Sequence, residues 1–458
     1  MMDAKKSART PIEQCPEEAD MKVAKFDRNP TCGAVWSLFS GAMGLDLGLE
    51  SVGLGASLAV EIDEDCCATI RHNRSDQIKV VCGDIRTLSG EEFRRVTGHH
   101  DEVFLLVGGP PCQAFSPGGN REAMADPRGD LVNEYFRIVK EVMPRFFLFE
   151  NVANLVTAAL RHRPIKDRPG QHWSLKSYEG SGRPPRVVGR GNHGATPMAK
   201  DELAGSALWA LLDSIRPLGY RVTFGVLDAA DYGAPQHRLR FIMIGARDQA
   251  PPRLPRPTHG PGSGLLPRRT LRSAIWDLRE NPGHHYVYTP EFQRFFRHVS
   301  PGGHWRDLPP KLQEQALGNA YKSGGGKTGF FRRLSWDAPA PTITGKPNRK
   351  GAALCHPEFI RPLSVRECAR IQGFPDDWMI LGSPESQYRQ IGNAVPTHLG
   401  AAIGAALLHG ELADERDLDP TNLFMKALDR VRAAGRNRKG RRGANPVQGE
   451  LPLAAGVK

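Results

Sequence analysis

Short apolar runs alternate with helical periods along the first third of the chain. Ala34 to Phe39 (AVWSLF) reads as a buried strand that enters the turn SGAMG and then a helical pattern, LDLGLESVG. Leu58 to Asp63 reads as a second strand, followed by a helix from Glu64. Ile78 to Val81, Val103 to Val107 and Phe146 to Phe149 read as the third, fourth and fifth strands, with a helix over Asp130 to Met143 between the last two. This rhythm predicts an α/β fold whose mostly parallel sheet is covered on both faces.

The rhythm breaks near residue 160. Residues 161–200 hold nine Lys or Arg against two acidic residues, with six Gly and five Pro, which predicts a basic insertion. A helix is expected over Asp201 to Arg216, with strands near Tyr220 to Leu227 and Phe241 to Gly245. Residues 247–355 are dense in Pro and Gly with few helix signals, which predicts a smaller, separate, loop-rich domain. Helical pattern resumes at Ser364, where Glu367 completes a capping box, and Pro396 suits the first turn of a last helix. The chain is therefore expected to divide into a loose arm (1–31), an α/β domain (32–246, with the insertion), the loop-rich domain (247–355), a segment completing the α/β domain (356–410) and a basic, disordered tail (411–458).

Charge adds one inference. Sixty-two Lys and Arg against fifty acidic residues give +12, which suits a polyanionic partner without requiring one. The eight cysteines form no C-x-x-C pair, so no metal is expected, and their scatter suits a reducing cytosol. The first residues contain no apolar segment of signal-peptide type, and no apolar run of about 18 residues is evident, so no membrane span is expected.

The chemistry begins at the first strand's end. Phe39-Ser40-Gly41-Ala42-Met43-Gly44 is a turn whose glycines admit close backbone approach to a ligand. Glu61 ends the second strand, where a carboxylate reaches ribose hydroxyls, and Asp84 follows the third, within reach of an adenine amino group. Three such features at successive strand ends point to an adenosine-containing cofactor, without separating NAD from S-adenosylmethionine. After the fourth strand comes Gly108-Gly109-Pro110-Pro111-Cys112-Gln113-Ala114-Phe115-Ser116. A core cysteine rarely sits in a stiff Gly- and Pro-rich loop at a strand terminus, which favours a nucleophile at Cys112.

GGPPCQAFS resembles the catalytic loop of the DNA cytosine carbon-5 methyltransferases, and further motifs follow in that family's order: Glu150-Asn151-Val152, Gln236-His237-Arg238-Leu239-Arg240, Arg361 to Pro375, and Gln390 to Pro396. The resemblance implies a Rossmann-like, S-adenosylmethionine-dependent methyltransferase of bacterial or phage origin, cytoplasmic and monomeric, acting on double-stranded DNA, with a cognate restriction endonuclease as a separate partner. It implies that Cys112 attacks carbon 6 of a flipped cytosine, that Glu150 offsets charge at ring nitrogen 3, and that Asn151 holds the loop. Arg240 would contact the cytosine carbonyl and a phosphate, with Arg238 beside it. Cofactor contacts would come from Phe39, Gly41, Ala42, Gly44, Glu61, Ile62, Asp84, Ile85, Pro111, Asn393 and Val395. DNA contacts would come from Gln113, Ser116, Gln236, Thr342, Lys346 and Arg349, with residues 247–355 as the target-recognition domain. Met43 stands where the family often has glycine; an ordinary φ is expected there, with the thioether near the cofactor. An RNA cytosine methyltransferase of the same fold and a catalytically silent DNA-binding regulator are the rival readings.

Overall fold

The computed structural model describes residues 33–111, 130–161, 163, 198–322 and 329–440. Cys112, Gln113 and Ser116, and nearly all of the basic insertion, lie outside them. Eight strands build the catalytic half: β1 (Ala34–Leu38), β2 (Leu58–Glu61), β3 (Lys79–Cys82), β4 (Val103–Gly108), β5 (Phe146–Val152), β6 (Arg221–Asp228), β7 (Gln236–His237) and β8 (Leu239–Ala246). All but β7 form one sheet in the order β3-β2-β1-β4-β5-β8-β6. β1 to β5 run parallel; at one edge β8 is added antiparallel to β5, and β6 antiparallel to β8.

The strands read as continuous apolar runs because both faces are buried. Val35, Leu105, Val107, Phe146 and Leu148 enter one core, and Trp36, Leu38, Leu106, Phe147 and Phe149 enter the other. On the first face lie helix α1 (Gly44–Glu50) and the helix Thr397–His409, which approach so closely that a Cβ on Gly48 would stand 2.7 Å from the Gly400 Cα. The second face is covered by α4 (Asp130–Val142) and the helix Ser206–Ile215. Between α1 and α4 in sequence lie α2 (Glu64–Arg74) and α3 (Gly90–Thr97), each started by a side-chain cap, from Asp63 and Ser89 respectively.

Four features differ from the sequence expectations. Helix Asp201 to Arg216 is interrupted: a single 3₁₀ turn, Lys200–Glu202, precedes Ser206–Ile215, with Gly205 in the left-handed region between them. The loop-rich stretch carries short helices at Leu271–Ile275, Pro290–Phe296, Pro310–Leu317 and Asn319–Lys322. Its aromatic residues Tyr288, Phe295, Phe296, Trp305 and Phe331 form a core of their own, whereas Leu271, Leu334, Trp336 and Ile343 pack into the catalytic core. The expected disordered tail contains a 21-residue helix, Pro420–Gly440. Leu423, Phe424, Ala427 and Leu428 bury one side of it, and Arg430 pairs with the buried Asp231. Basic composition concealed an i, i+1, i+4, i+5 apolar stripe. Finally, the successive helices Pro384–Asn393 and Thr397–His409 together have the length and hydropathy of a membrane span, but they are broken at Ala394–Pro396 and 67% of their most apolar window is buried inside the protein, as in core helices.

Candidate active site

The strand order reverses between β1 and β4, which opens a crevice at the carboxyl ends of these parallel strands. A pocket of about 600 Å³ occupies it, lined by the β1–α1 turn, the ends of β2 and β3, the start of the Gly108–Pro111 loop and the segment around Asn393.

The β1–α1 turn is strained. Met43 caps α1 at φ 66°, ψ 26°, and Phe39 sits at φ 56°. The expected ordinary φ at Met43 is therefore wrong. Its side chain, 1% exposed, is held in the core beneath the turn, and that burial offsets a left-handed conformation costing about 1–2 kcal/mol. The turn is tied to β2 by Glu61, whose Oε2 accepts from the Gly41 amide at 2.8 Å. Its Oε1 accepts from the amides of Ile62 and Asp63 at 2.8 and 3.0 Å. A carboxylate offers about four acceptor positions, so Glu61 keeps capacity for a ligand hydroxyl. Ile62 beside it is an exposed apolar side chain at the pocket wall. Asp84 caps the 3₁₀ turn Ile85–Thr87 and pairs with Arg86 at 2.5 Å, which holds its carboxyl below the usual range.

On the other side, Glu150 lies at the end of β5, 9% exposed, with Oε1 at 2.6 Å from Arg240 Nε. Burial pushes its carboxyl up, against the opposing pull of Arg240 and Arg238. Asn151 donates to the Pro110 carbonyl at 3.3 Å and accepts from the Val152 amide at 2.8 Å, fastening the loop that leads to Cys112. Beneath, the Tyr135 hydroxyl sits 3.1 and 3.0 Å from the carbonyls of Leu106 and Leu148 and bridges β4 to β5. Tyr135 carried no motif signal and was missed from sequence.

The two arginines of QHRLR part company. Arg240 faces Glu150, while Arg238 is 2% exposed and donates to the carbonyls of Ile343 at 2.9 Å and of Gly392 and Asn393 at 2.7 and 3.3 Å. It ties the stretch after residue 330 to the pocket rim at Asn393. Gln236 is fully buried, donating to the Ile371 carbonyl and Gln372 and accepting from the Ile343 amide, so the expected DNA contact there is replaced by an internal clamp. Gln372, also missed from sequence, extends that clamp to the Ile391 and Ala394 carbonyls. β7 pairs with Ala340–Pro341, and Thr342 donates to the His237 carbonyl at 2.8 Å. Lys346 and Arg349 are exposed. Among the described residues no His, Cys, Asp or Glu cluster has the makings of a metal site.

An α/β sheet with a pocket at its switch point and a buried Glu–Arg pair beside it fits the class of S-adenosylmethionine-dependent methyltransferases. The chain belongs to the C-5 cytosine-specific DNA methylase family, whose sequence model matches residues 33–164 and 198–409. It is 35% identical over 377 residues to the Type II methyltransferase M.Sau96I of Staphylococcus aureus, covering 82% of this chain and 75% of that one. It is 36% identical over 383 residues to M.Eco47II of Escherichia coli, covering 82% and 78%. Among solved structures, the Entamoeba histolytica methyltransferase EhMeth superposes with a TM-score of 0.52 at 14% identity, covering 82% of this chain and 98% of that one. A prophage-encoded methyltransferase from E. coli gives 0.53 at 22%, with the same coverage. The protein is a DNA cytosine-5 methyltransferase, with DNA as substrate and S-adenosylmethionine as methyl donor. The RNA-directed and silent readings fall.

Proposed function

We propose that Cys112 is the nucleophile of this methyltransferase and that Glu150 and Arg240 work as a pair on the target cytosine. The observation that carries this reading is the buried Glu150–Arg240 contact at the loop that runs into Cys112. Cytosine carbon 5 is a poor nucleophile; addition of the Cys112 thiolate to carbon 6 makes an enamine that is nucleophilic at carbon 5, and once carbon 5 carries the methyl group its proton is lost to water and the carbon 6–sulfur bond breaks, releasing the thiolate. Charge develops at ring nitrogen 3 during that addition. The Glu150 carboxyl, whose pKa burial raises, shares a proton with that nitrogen, and Arg240 orients it and offers its outer guanidinium nitrogen to the cytosine carbonyl. The cofactor supplies an electrophilic methyl group on a sulfonium. Glu61 and Asp84 would hold its ribose and adenine, Ile62 would cover the ring, and Asn393 and Val395 would bound the far end. Asn151 fixes the loop, and Arg238 serves as a positioning residue instead of touching the base.

The target base lies inside a duplex and is flipped out at a cost of a few kcal/mol. Residues 247–355 would read the sequence, with Thr342 against the flipped nucleotide and Lys346 and Arg349 on phosphates or base edges. Gln113 and Ser116, next to the nucleophile, would contact DNA. The enzyme would act as a cytoplasmic monomer beside a separate restriction endonuclease. The test is covalent trapping: DNA containing 5-fluorocytosine cannot lose its carbon-5 substituent as a proton, so the wild type is expected to form a stable adduct and Cys112→Ala none. A trapped adduct in Cys112→Ala would remove Cys112 from the reaction.

A further inference from the structure

One buried carboxyl in the pocket wall takes no part in this scheme. Asp46 stands in the first turn of α1, two residues after Gly44, and lines the pocket. It is 4% exposed, and its Oδ1 has no hydrogen-bond partner among the described residues. Its carboxyl is approached by the Ser37 hydroxyl from β1 and by its own backbone amide, and the charge acting on it is that of Glu50, also negative. A buried, half-satisfied carboxyl without a cation is costly and calls for an explanation. Burial pushes its pKa up to about 6, so near neutral pH it is ionised and lacks a counter-charge.

The pocket's layout says which cation it awaits. Glu61 and Asp84 end β2 and β3, on one side of β1, and serve the adenosine end. An elongated ligand held there extends its other end under the β1–α1 turn, where Gly44 packs on Val395 and Asp46 follows. The amino-acid end of the cofactor carries an α-ammonium group. We propose that Asp46 is the acceptor for that α-ammonium group, seated by Ser37 and left unpaired until the cofactor enters. The inference rests on the cofactor orientation given above.

Calorimetric binding with the full-length protein tests it without any methyl transfer. Four ligands are compared: S-adenosylmethionine, S-adenosylhomocysteine, its analogue lacking the amino group, and 5′-methylthioadenosine, which lacks the amino-acid end. Asp46→Asn is expected to weaken the first two tenfold or more and to leave methylthioadenosine unchanged. The wild type is expected to bind the deamino analogue at least tenfold more weakly than S-adenosylhomocysteine, a result that needs no variant to fold. Equal affinity for those two in the wild type would overturn the proposal. So would a loss in Asp46→Asn confined to S-adenosylmethionine, since that would point to the sulfonium. Equal losses for all four ligands would also overturn it, by marking Asp46 as a support of the pocket. Failure of methylthioadenosine to bind the wild type would instead refute the orientation at Glu61 and Asp84.

Discussion

Gly109 lies where any side chain would strike Glu150: a Cβ on Gly109 would stand 2.7 Å from Glu150 Oε2. The carboxyl proposed to face the target base therefore keeps its place only because the loop before Cys112 has no side chain there. Gly109→Ala is expected to push the Glu150 carboxyl aside by a substantial fraction of an ångström. A displacement of about 1 Å costs on the order of 10²-fold in rate. Single-turnover methylation should show that loss while cofactor affinity stays within about twofold, well under the 1.4 kcal/mol of a tenfold change. An unchanged single-turnover rate would mean that the loop yields and Glu150 does not move.

Glu150→Gln tests the carboxyl itself. The amide keeps the size and loses the transferable proton, so turnover is expected to fall about 10²-fold or more. It also removes the carboxyl oxygen 2.6 Å from Arg240, which is 11% exposed at its side chain, and leaves that guanidinium buried without its carboxyl partner. A drop in thermal stability should therefore accompany the kinetic loss, because an uncompensated buried charge costs about 3–5 kcal/mol. Full activity in Glu150→Gln would take the carboxyl out of the chemistry.

Arg238 makes a prediction of the opposite kind. Its three carbonyl contacts join residues 343, 392 and 393, and none of them involves the base. Arg238→Met is expected to lower stability by roughly 3 kcal/mol. It should also weaken cofactor binding through Asn393, with kcat at saturating cofactor falling less than for Arg240→Met. Equal kcat losses in the two variants would place Arg238 in contact with substrate.

These arginines show where sequence reading reaches its limit. The strand rhythm was legible because each parallel strand is buried on both faces, and the motif residues were legible because they cluster at strand ends. The motif QHRLR, however, does not say which arginine turns inward. Two residues apart, they would share a face on a regular strand. The chain instead passes from β7 to β8 at Arg238 itself, and this residue is drawn toward the carbonyls of a segment more than a hundred residues away. Met43 misled for a related reason. Its left-handed φ is upheld by packing in the core beneath the turn, a tertiary effect that a turn preference does not contain.

Asp46 couples the cofactor proposal to stability. Its pKa in the folded protein, about 6, lies above the ordinary 3.8. The folded state therefore holds this proton more tightly than the unfolded chain does. Stability contributed by the protonated form is complete below about pH 3.8 and is lost as pH rises through about 6. Above that, the ionised carboxyl costs up to about 3 kcal/mol. Burial is what raises the value; Ser37 and the Asp46 amide pull it part of the way down, and Glu50 adds a smaller push upward. Asp46→Asn should thus melt higher than the wild type at pH 7.5 in the absence of cofactor, and the gap should close toward pH 4. A lower melting temperature for Asp46→Asn at pH 7.5 would contradict the unpaired, ionised carboxyl.

The basic C-terminus yields the last prediction, reshaped by the helix found there. Residues 430–442 hold seven Lys or Arg and no acid. Arg430 is already committed to Asp231, and Leu423, Phe424, Ala427 and Leu428 hold the helix Pro420–Gly440 against the catalytic domain. Ending the chain at Asp429 would cut a packed helix and confuse folding with DNA affinity. Replacing Arg436, Arg438, Lys439, Arg441 and Arg442 by serine separates the two. Each phosphate neutralised contributes about 0.9 to the log–log salt slope, so five cations bound the change at about 4.5. Entropy lost in pinning long side chains makes roughly 2 the expected value. The variant should bind duplex DNA more weakly at low salt, with a flatter slope and the same methylated sequence. Arg430→Ala should do the reverse, lowering the melting temperature and leaving the salt slope nearly as it was. An unaltered slope in the five-serine variant would mean that this helix is a structural brace and its charged end meets only solvent.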